Sequence, residues 1–237
     1  MRDRSLRFRL GTDGTWSSER DYSLRALDTN ATGRLRLLDL DKGQVIVFDG
    51  NSGVLLERIN ANGGRGITYT YHSVSTQKFP SNAPDCGISE PTQAKQLVPA
   101  CVTDAFGRQL YLSHDSSGNL VRLIQPDGTN TTYAYNGGRQ LLSINYFDGF
   151  SELFKYGESG LSDGASDSWN LLTGRSELNN LGVEQRFSTI KYGSDRRPQY
   201  VDNGGQGGHS TLSYYPAGFD TSSAITTITS PNGVQFP

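Results

Sequence analysis

Along this chain apolar and polar residues alternate in short runs, and each run ends at a turn signal. Thr131, Tyr133 and Tyr135 fall on one face of an extended segment, with Thr132 and Ala134 on the other. Tyr69 and Tyr71 repeat that spacing, as do Phe154 and Tyr156. Near the amino end, Leu6, Phe8 and Leu10 alternate with Arg7 and Arg9. This reads as a strand and not as the continuous apolar stretch of a signal peptide. The strand pieces are about five residues long, a usual strand length. Turn signals recur every 8–12 positions or so, which predicts a nearly all-β chain with helix below about a tenth of its residues.

The turns form a repeat. Asp115-Ser116-Ser117-Gly118-Asn119-Leu120 opens a unit that runs through Pro126-Asp127-Gly128 to Tyr133-Ala134-Tyr135-Asn136. The next unit runs from Asn136 through Phe147-Asp148-Gly149 to Phe154-Lys155-Tyr156, so that Gly128 to Gly149 and Tyr135 to Tyr156 are both 21 residues apart. Fainter copies open at Asp104-Ala105-Phe106-Gly107-Arg108-Gln109-Leu110 and at Asp49-Gly50-Asn51-Ser52-Gly53. Ser230-Pro231-Asn232-Gly233 begins another that the chain does not complete, which reads as a fragment of a longer protein. Each unit holds two strands and two turns. The Asp of Asp-x-x-Gly bonds the backbone two residues on, and Gly takes positive φ. In the second turn Pro fixes φ and Gly supplies the left-handed residue, so Gly118 and Gly128 are expected at positive φ.

Composition fits this picture. Of 237 residues, 28 are Gly, 12 Tyr and 10 Phe, and the 34% hydrophobic content is low for a thick closed core. The whole chain, 1–237, reads as one β-sheet domain, with a proline-rich insertion loop at 79–102 and flexible Gly/Ser-rich loops at 157–169 and 203–209. The net charge of −2, with Lys and Arg dispersed, offers no basic stripe for nucleic acid or an anionic membrane. The longest apolar run, Val45 to Phe48, is far short of the roughly 20 residues that span a bilayer as a helix.

Cys86 and Cys101 lie among Pro80, Pro84, Pro91 and Pro99. So many prolines predict an irregular loop. A disulfide within that loop would contribute roughly 3 kcal/mol in the chain-entropy description; two free thiols are the alternative. No CxxC or nearby His pair completes a zinc site, and no cofactor is expected.

The stretch from Asp115 to Tyr135 resembles the YD-repeat pattern of Rhs proteins, Asp-x-x-Gly-Arg/Asn-Leu, then Pro-Asp-Gly, then Tyr-x-Tyr-Asp. Asp115, Gly118, Leu120, Pro126, Asp127, Gly128, Tyr133 and Tyr135 carry it, with Asn136 in place of the last Asp. Asp104, Gly107 and Arg108 belong to the preceding copy, and Gly149 and Tyr156 to the following one. Leu171-Leu172-Thr173-Gly174, followed by Arg186-Phe187-Ser188-Thr189-Ile190-Lys191-Tyr192, also resembles an Rhs phrase. The resemblance covers most of residues 33–237 and places the chain in the amino-terminal part of a YD-repeat region. It implies consecutive antiparallel hairpins in a curved sheet, a segment of a hollow β-shell that encloses a toxic carboxyl-terminal domain. The implied partners are the remaining repeats, that toxin domain and secretion-apparatus proteins. The implied location is secreted or on a bacterial cell surface, with the export signal elsewhere. The family's self-cleaving aspartyl site lies near the end of the shell; no such segment stands here, so no catalytic residue is carried over.

Weighed by themselves, the residues give no enzyme. His114 and Asp115 are adjacent in a strand and point to opposite faces, so they do not converge. Gly63-Gly64-Arg65-Gly66 precedes a strand, whereas a phosphate loop needs a helix amino terminus. Asp104, Asp115, Asp127 and Asp148 occupy turn positions, where a carboxylate has a local role. The expected function is a non-catalytic shell segment. The alternative is an extracellular carbohydrate-binding or adhesion module, which would set its aromatics in an exposed groove instead of within the sheet.

Overall fold

A computed structural model of the chain describes residues 8–10, 12, 16–18, 24–29, 33–64, 66–72, 78–79, 86, 97–162, 164–203, 209–214 and 225–236. The protein is all-β; the one helical element among the described residues is a 3-10 turn at Ser168–Asn170. The chain divides into two compact units, Met1–Thr129 and Asn130–Pro237. In a meander each strand touches mainly its sequence neighbours, so nothing in the repeat itself ties distant hairpins into one body.

The first unit contains β1 (Phe8–Leu10), β2 (Trp16–Ser18), β3 (Leu24–Thr29), β4 (Arg34–Asp39), β5 (Gln44–Asp49), β6 (Leu55–Asn60), β7 (Ile67–His72), β8 (Lys78–Phe79), β9 (Val98–Thr103), β10 (Gln109–His114) and β11 (Leu120–Ile124). Each pairs antiparallel with the next, except that β7 pairs with both β8 and β9. The second unit contains β12 (Asn130–Tyr135), β13 (Leu141–Asn145), β14 (Ser151–Tyr156), β15 (Leu172–Leu178), β16 (Glu184–Tyr192), β17 (Pro198–Asp202), β18 (His209–Tyr214), β19 (Ile225–Thr229) and β20 (Gln235–Phe236), again paired in sequence.

Eight of the described turns share one geometry. At Asp104–Arg108 the Gly107 N–H donates to the Asp104 carbonyl at 3.0 Å and the Asp104 N–H to the Arg108 carbonyl at 2.9 Å. Asp115–Asn119, Gln125–Thr129, Asn136–Gln140, Tyr146–Phe150, Asn179–Val183, Gly193–Arg197 and Ser230–Val234 repeat both bonds. This is a three-residue loop, a type I turn closed by one left-handed residue, whose twist matches that of the flanking strands. Gly118 and Gly128 hold that place at φ 83° and 87°. Arg139 and Arg196 hold it at 62° and 65°, without glycine's freedom.

A second regularity follows the turn or loop. The aromatic or histidine near the end of one strand faces an extra residue in the next. Ala134 pairs with Ser143 but Tyr135 pairs with Leu141, leaving Leu142 as a bulge. The same slip occurs at Phe48, Tyr71, His114, Tyr156, Tyr192 and Tyr214. A bulge raises the local twist and bends the strand that carries it.

The proline-rich loop needs a correction. Its carboxyl-terminal end is not irregular: Val98–Thr103 is strand β9, paired with β7 and β10. Pro99 is tolerated because it lies opposite Tyr71 at the bulge, where the ladder is already interrupted. Cys101 is therefore a strand residue. Residues 80–85 and 87–96 of that loop, and 204–208 of the 203–209 loop, lie outside the described residues.

The core is thin. Among the described residues of the first unit it comprises Leu37, Val45, Val47, Leu56, Tyr71, Cys86, Val98, Ala100, Cys101 and Tyr111. The largest side chains that are fully buried are small ones: Thr70, Thr173, Cys101, Ser162 and Ser176.

Candidate functional site

The repeat residues serve the turns and the sheet. The Asp115 carboxylate accepts from the Ser117 and Asn119 N–H groups at 2.8 and 2.9 Å and from the Asn119 side chain at 2.9 Å. Asp104 accepts in the same way from Phe106 and Arg108, and the Arg108 guanidinium closes on it at 2.6 Å. Partial burial pushes the Asp104 carboxyl up, but the Phe106 N–H and both Arg108 donors outweigh this and hold it below the usual range. Asp127 accepts the Thr129 hydroxyl at 2.7 Å and the Thr129 N–H at 2.9 Å, and these two bonds depress its pKa. Pro126 occupies the second position of that turn, where φ near −65° is required. Gly107 and Gly149 take φ of 82° and 88°. Leu120 pairs opposite His114. Tyr133, Tyr135 and Tyr156 are half-buried within the sheet, opposite Ile144, Leu141 and Leu172.

One constellation in the second unit went unread in the sequence. From β16, Arg186 sends both terminal nitrogens to Glu158, at 2.9 and 2.7 Å. Its Nε donates to Thr189 Oγ1 and its Nη2 to the Thr173 carbonyl, while the Thr173 hydroxyl donates to Glu158 Oε2 at 2.7 Å. A β-carbon at Gly174 would collide with the guanidinium. The Leu-Thr-Gly and Arg-Phe phrases are thus two halves of one contact. Arg186 holds the Glu158 carboxyl below its usual range against the opposing effect of burial, and Thr173 assists. The contact anchors the 157–169 segment to the sheet, helped by the bond from the Tyr192 N–H to the Leu161 carbonyl at 2.7 Å.

In the first unit, Cys101 is opposite both Thr70 on β7 and Tyr111 on β10, and Tyr111 is opposite Ile124 on β11. Cys86 packs against this row in one buried cluster with Cys101 and Tyr111. Both cysteines are in the thiol form, and no disulfide joins them in this structure. A hydrogen bond from Cys86 brings the Cys101 thiol down to about 7; burial opposes this and Thr103 assists. Cys86, Tyr111 and Ile124 border a cavity of about 430 Å³, walled further by Gly107, Arg108, Gln109 and Pro126.

His114 is buried at the end of β10. Burial pushes its pKa down, against the Asp115 carboxylate and a bond to the Leu112 backbone, which raise it. The described residues contain no group of three or more His, Cys, Asp or Glu placed to hold a metal ion. Among them no helix is long and apolar enough to cross a membrane.

Strand, three-residue turn and bulge, recurring through both units, define an antiparallel hairpin-repeat protein. Residues 114–151, from the end of β10 to the start of β14, match the RHS Repeat family model. Within the chain, that segment carries an RHS repeat. Solved structures of similar arrangement include the Photorhabdus luminescens Tc holotoxin pore, at 13% identity over 91% of this chain and 11% of that one, with a TM-score of 0.49. TcdB2-TccC3-TEV is 10% identical over 94% of this chain and 11% of its own, with a TM-score of 0.45. TcdB2-TccC3 without its hypervariable C-terminal region is 10% identical over 94% and 13%, with a TM-score of 0.39. The chain spans about a tenth of the length of these structures. No curated protein matches it.

Proposed function

We propose that this chain is a non-catalytic wall segment of a YD-repeat shell that encloses the toxin domain of a bacterial polymorphic toxin or secretion-system effector. The observation that carries the reading is the recurrence of one hairpin geometry in both units and across the RHS Repeat match. Each repeated hairpin contacts mainly its neighbours in sequence, so the element propagates by stacking one repeat on another. The titratable turn residues are engaged in local hydrogen bonds, which leaves them a structural role. Its partners are the remaining repeats, the enclosed carboxyl-terminal domain and the delivery apparatus, and its place of action is outside the producing cell. The half-buried tyrosines favour a wall over a glycan-binding groove, since their faces are used within the sheet.

The test uses the parent protein. Limited proteolysis should leave the enclosed domain intact in the wild type, and Gly128→Val should expose it. Equal cleavage of that domain in the wild type would refute enclosure. Turnover by this chain on a glycan, ester or peptide panel, abolished by one point mutation in it, would overturn the non-catalytic reading.

A further inference from the structure

We propose that Cys86 and Cys101 form a thiol–disulfide exchange site, in which Cys86 is the entry sulfur, Cys101 the resolving sulfur, and a low-molecular-weight disulfide the oxidant. The inference stands on the local geometry and is independent of the shell reading. Cys101 is fixed on β9, fully closed to solvent, between Thr70 and Tyr111 in the sheet. Cys86 is brought against it from fifteen positions earlier in the chain, close enough for the two thiols to hydrogen-bond. The two sulfurs are not equivalent. Cys86 borders the cavity of about 430 Å³, while Cys101 does not. A small disulfide therefore reaches Cys86 first.

The chemistry balances in two displacements. Cys86 loses its thiol proton to solvent and attacks one sulfur of R–S–S–R. The S–S bond breaks, and R–S⁻ departs and is protonated by water. Cys86 now carries a mixed disulfide. The Cys101 thiol, 3.7 Å from the Thr103 hydroxyl that stays beside it, loses its proton and attacks the Cys86 sulfur. A Cys86–Cys101 bond forms and a second R–S⁻ leaves to become R–SH. Two protein thiols are oxidised and one external disulfide is reduced to two thiols. Closure ties residue 86 covalently to β9; reduction by an external thiol reverses both steps.

The experiment treats the folded full chain with oxidised glutathione, followed by intact mass and thiol alkylation. The wild type should lose two hydrogens with no retained adduct, protect both cysteines from alkylation, and recover both thiols on reduction. Cys101→Ser should stop at a single glutathione adduct on Cys86. Cys86→Ser should stay unmodified over the same period, because the remaining thiol is closed to solvent. Circular dichroism checks that each variant keeps its strands, and Cys101→Ala replaces Cys101→Ser should the buried hydroxyl unfold it. Two alkylatable thiols persisting in the oxidised wild type would overturn the proposal, as would an adduct that never resolves. Modification of Cys86→Ser as fast as Cys101→Ser would overturn the assigned order.

Discussion

Arg186 lies in the space that Gly174 leaves by having no side chain. Its guanidinium rests against the backbone of β15, where it reaches Glu158 and the Thr173 carbonyl together. Gly174→Ala should therefore cost more than its loss of flexibility, because the β-carbon displaces a guanidinium hydrogen-bonded to Glu158, Thr173 and Thr189. We expect a loss of about 1–3 kcal/mol. Arg186→Lys should cost a similar amount, since an ammonium cannot make the bidentate contact. In a chemical-denaturation cycle, Gly174→Ala and Glu158→Gln should be clearly less than additive, as both break the same contact. Additive effects would show that the two residues act separately.

Acid should loosen the protein through its paired carboxylates. Folding depresses the pKa of Glu158 through Arg186, and that of Asp127 through Thr129. A carboxyl whose folded pKa lies below its unfolded one stabilises fully above the unfolded value, and that contribution disappears as pH falls through the folded value. Melting temperature should thus decline between about pH 6 and pH 3. Glu158→Gln should flatten part of that slope. An unchanged slope in the variant would place the acid sensitivity elsewhere.

The turns give a matched pair of opposite changes. Gly128 sits at φ 87°, where a β-branched side chain is strained, so Gly128→Val should cost on the order of 1–2 kcal/mol. Arg139 occupies the equivalent place at φ 62° and is exposed. Arg139→Gly relieves that strain and should hold or raise stability by up to about 1 kcal/mol. Urea melts of the two variants check the contrast. A Gly128→Val protein as stable as the wild type would refute the turn geometry.

How far the sequence could be read depends on the range of the interaction concerned. Asp115, Gly118, Asp127 and Gly128 announce their turns because each bonds or bends within four residues. The Tyr133/Tyr135 alternation announces a strand for the same reason. The bulge at Leu142 was hidden, since it depends on how two strands register and not on either strand alone. Pro99 misled because proline argues against a strand, and the bulge opposite Tyr71 that accommodates it is a pairing property. Glu158 and Arg186 stand 28 residues apart, beyond any local rule, and only the folded chain joins them. The two cysteines were visible, but their burial against Tyr111 was not.

The final expectation concerns the rim of the second unit. Phe147 and Leu181 sit in hairpin turns and are 65% and 83% exposed, so neither contributes packing to the fold. Their turns are neighbours, because a β-carbon at Gly149 would come within 3.2 Å of the Asn180 side chain. Two large apolar groups on adjacent turns form a patch that water solvates poorly. Replacing both with serine should leave stability within about 0.5 kcal/mol, as for surface positions generally. The same change should reduce binding of an apolar dye and any concentration-dependent self-association measured by sedimentation. A fall in melting temperature of more than a few degrees would show that these side chains are packed. Unchanged dye binding and self-association would show that the patch is not an adhesive surface.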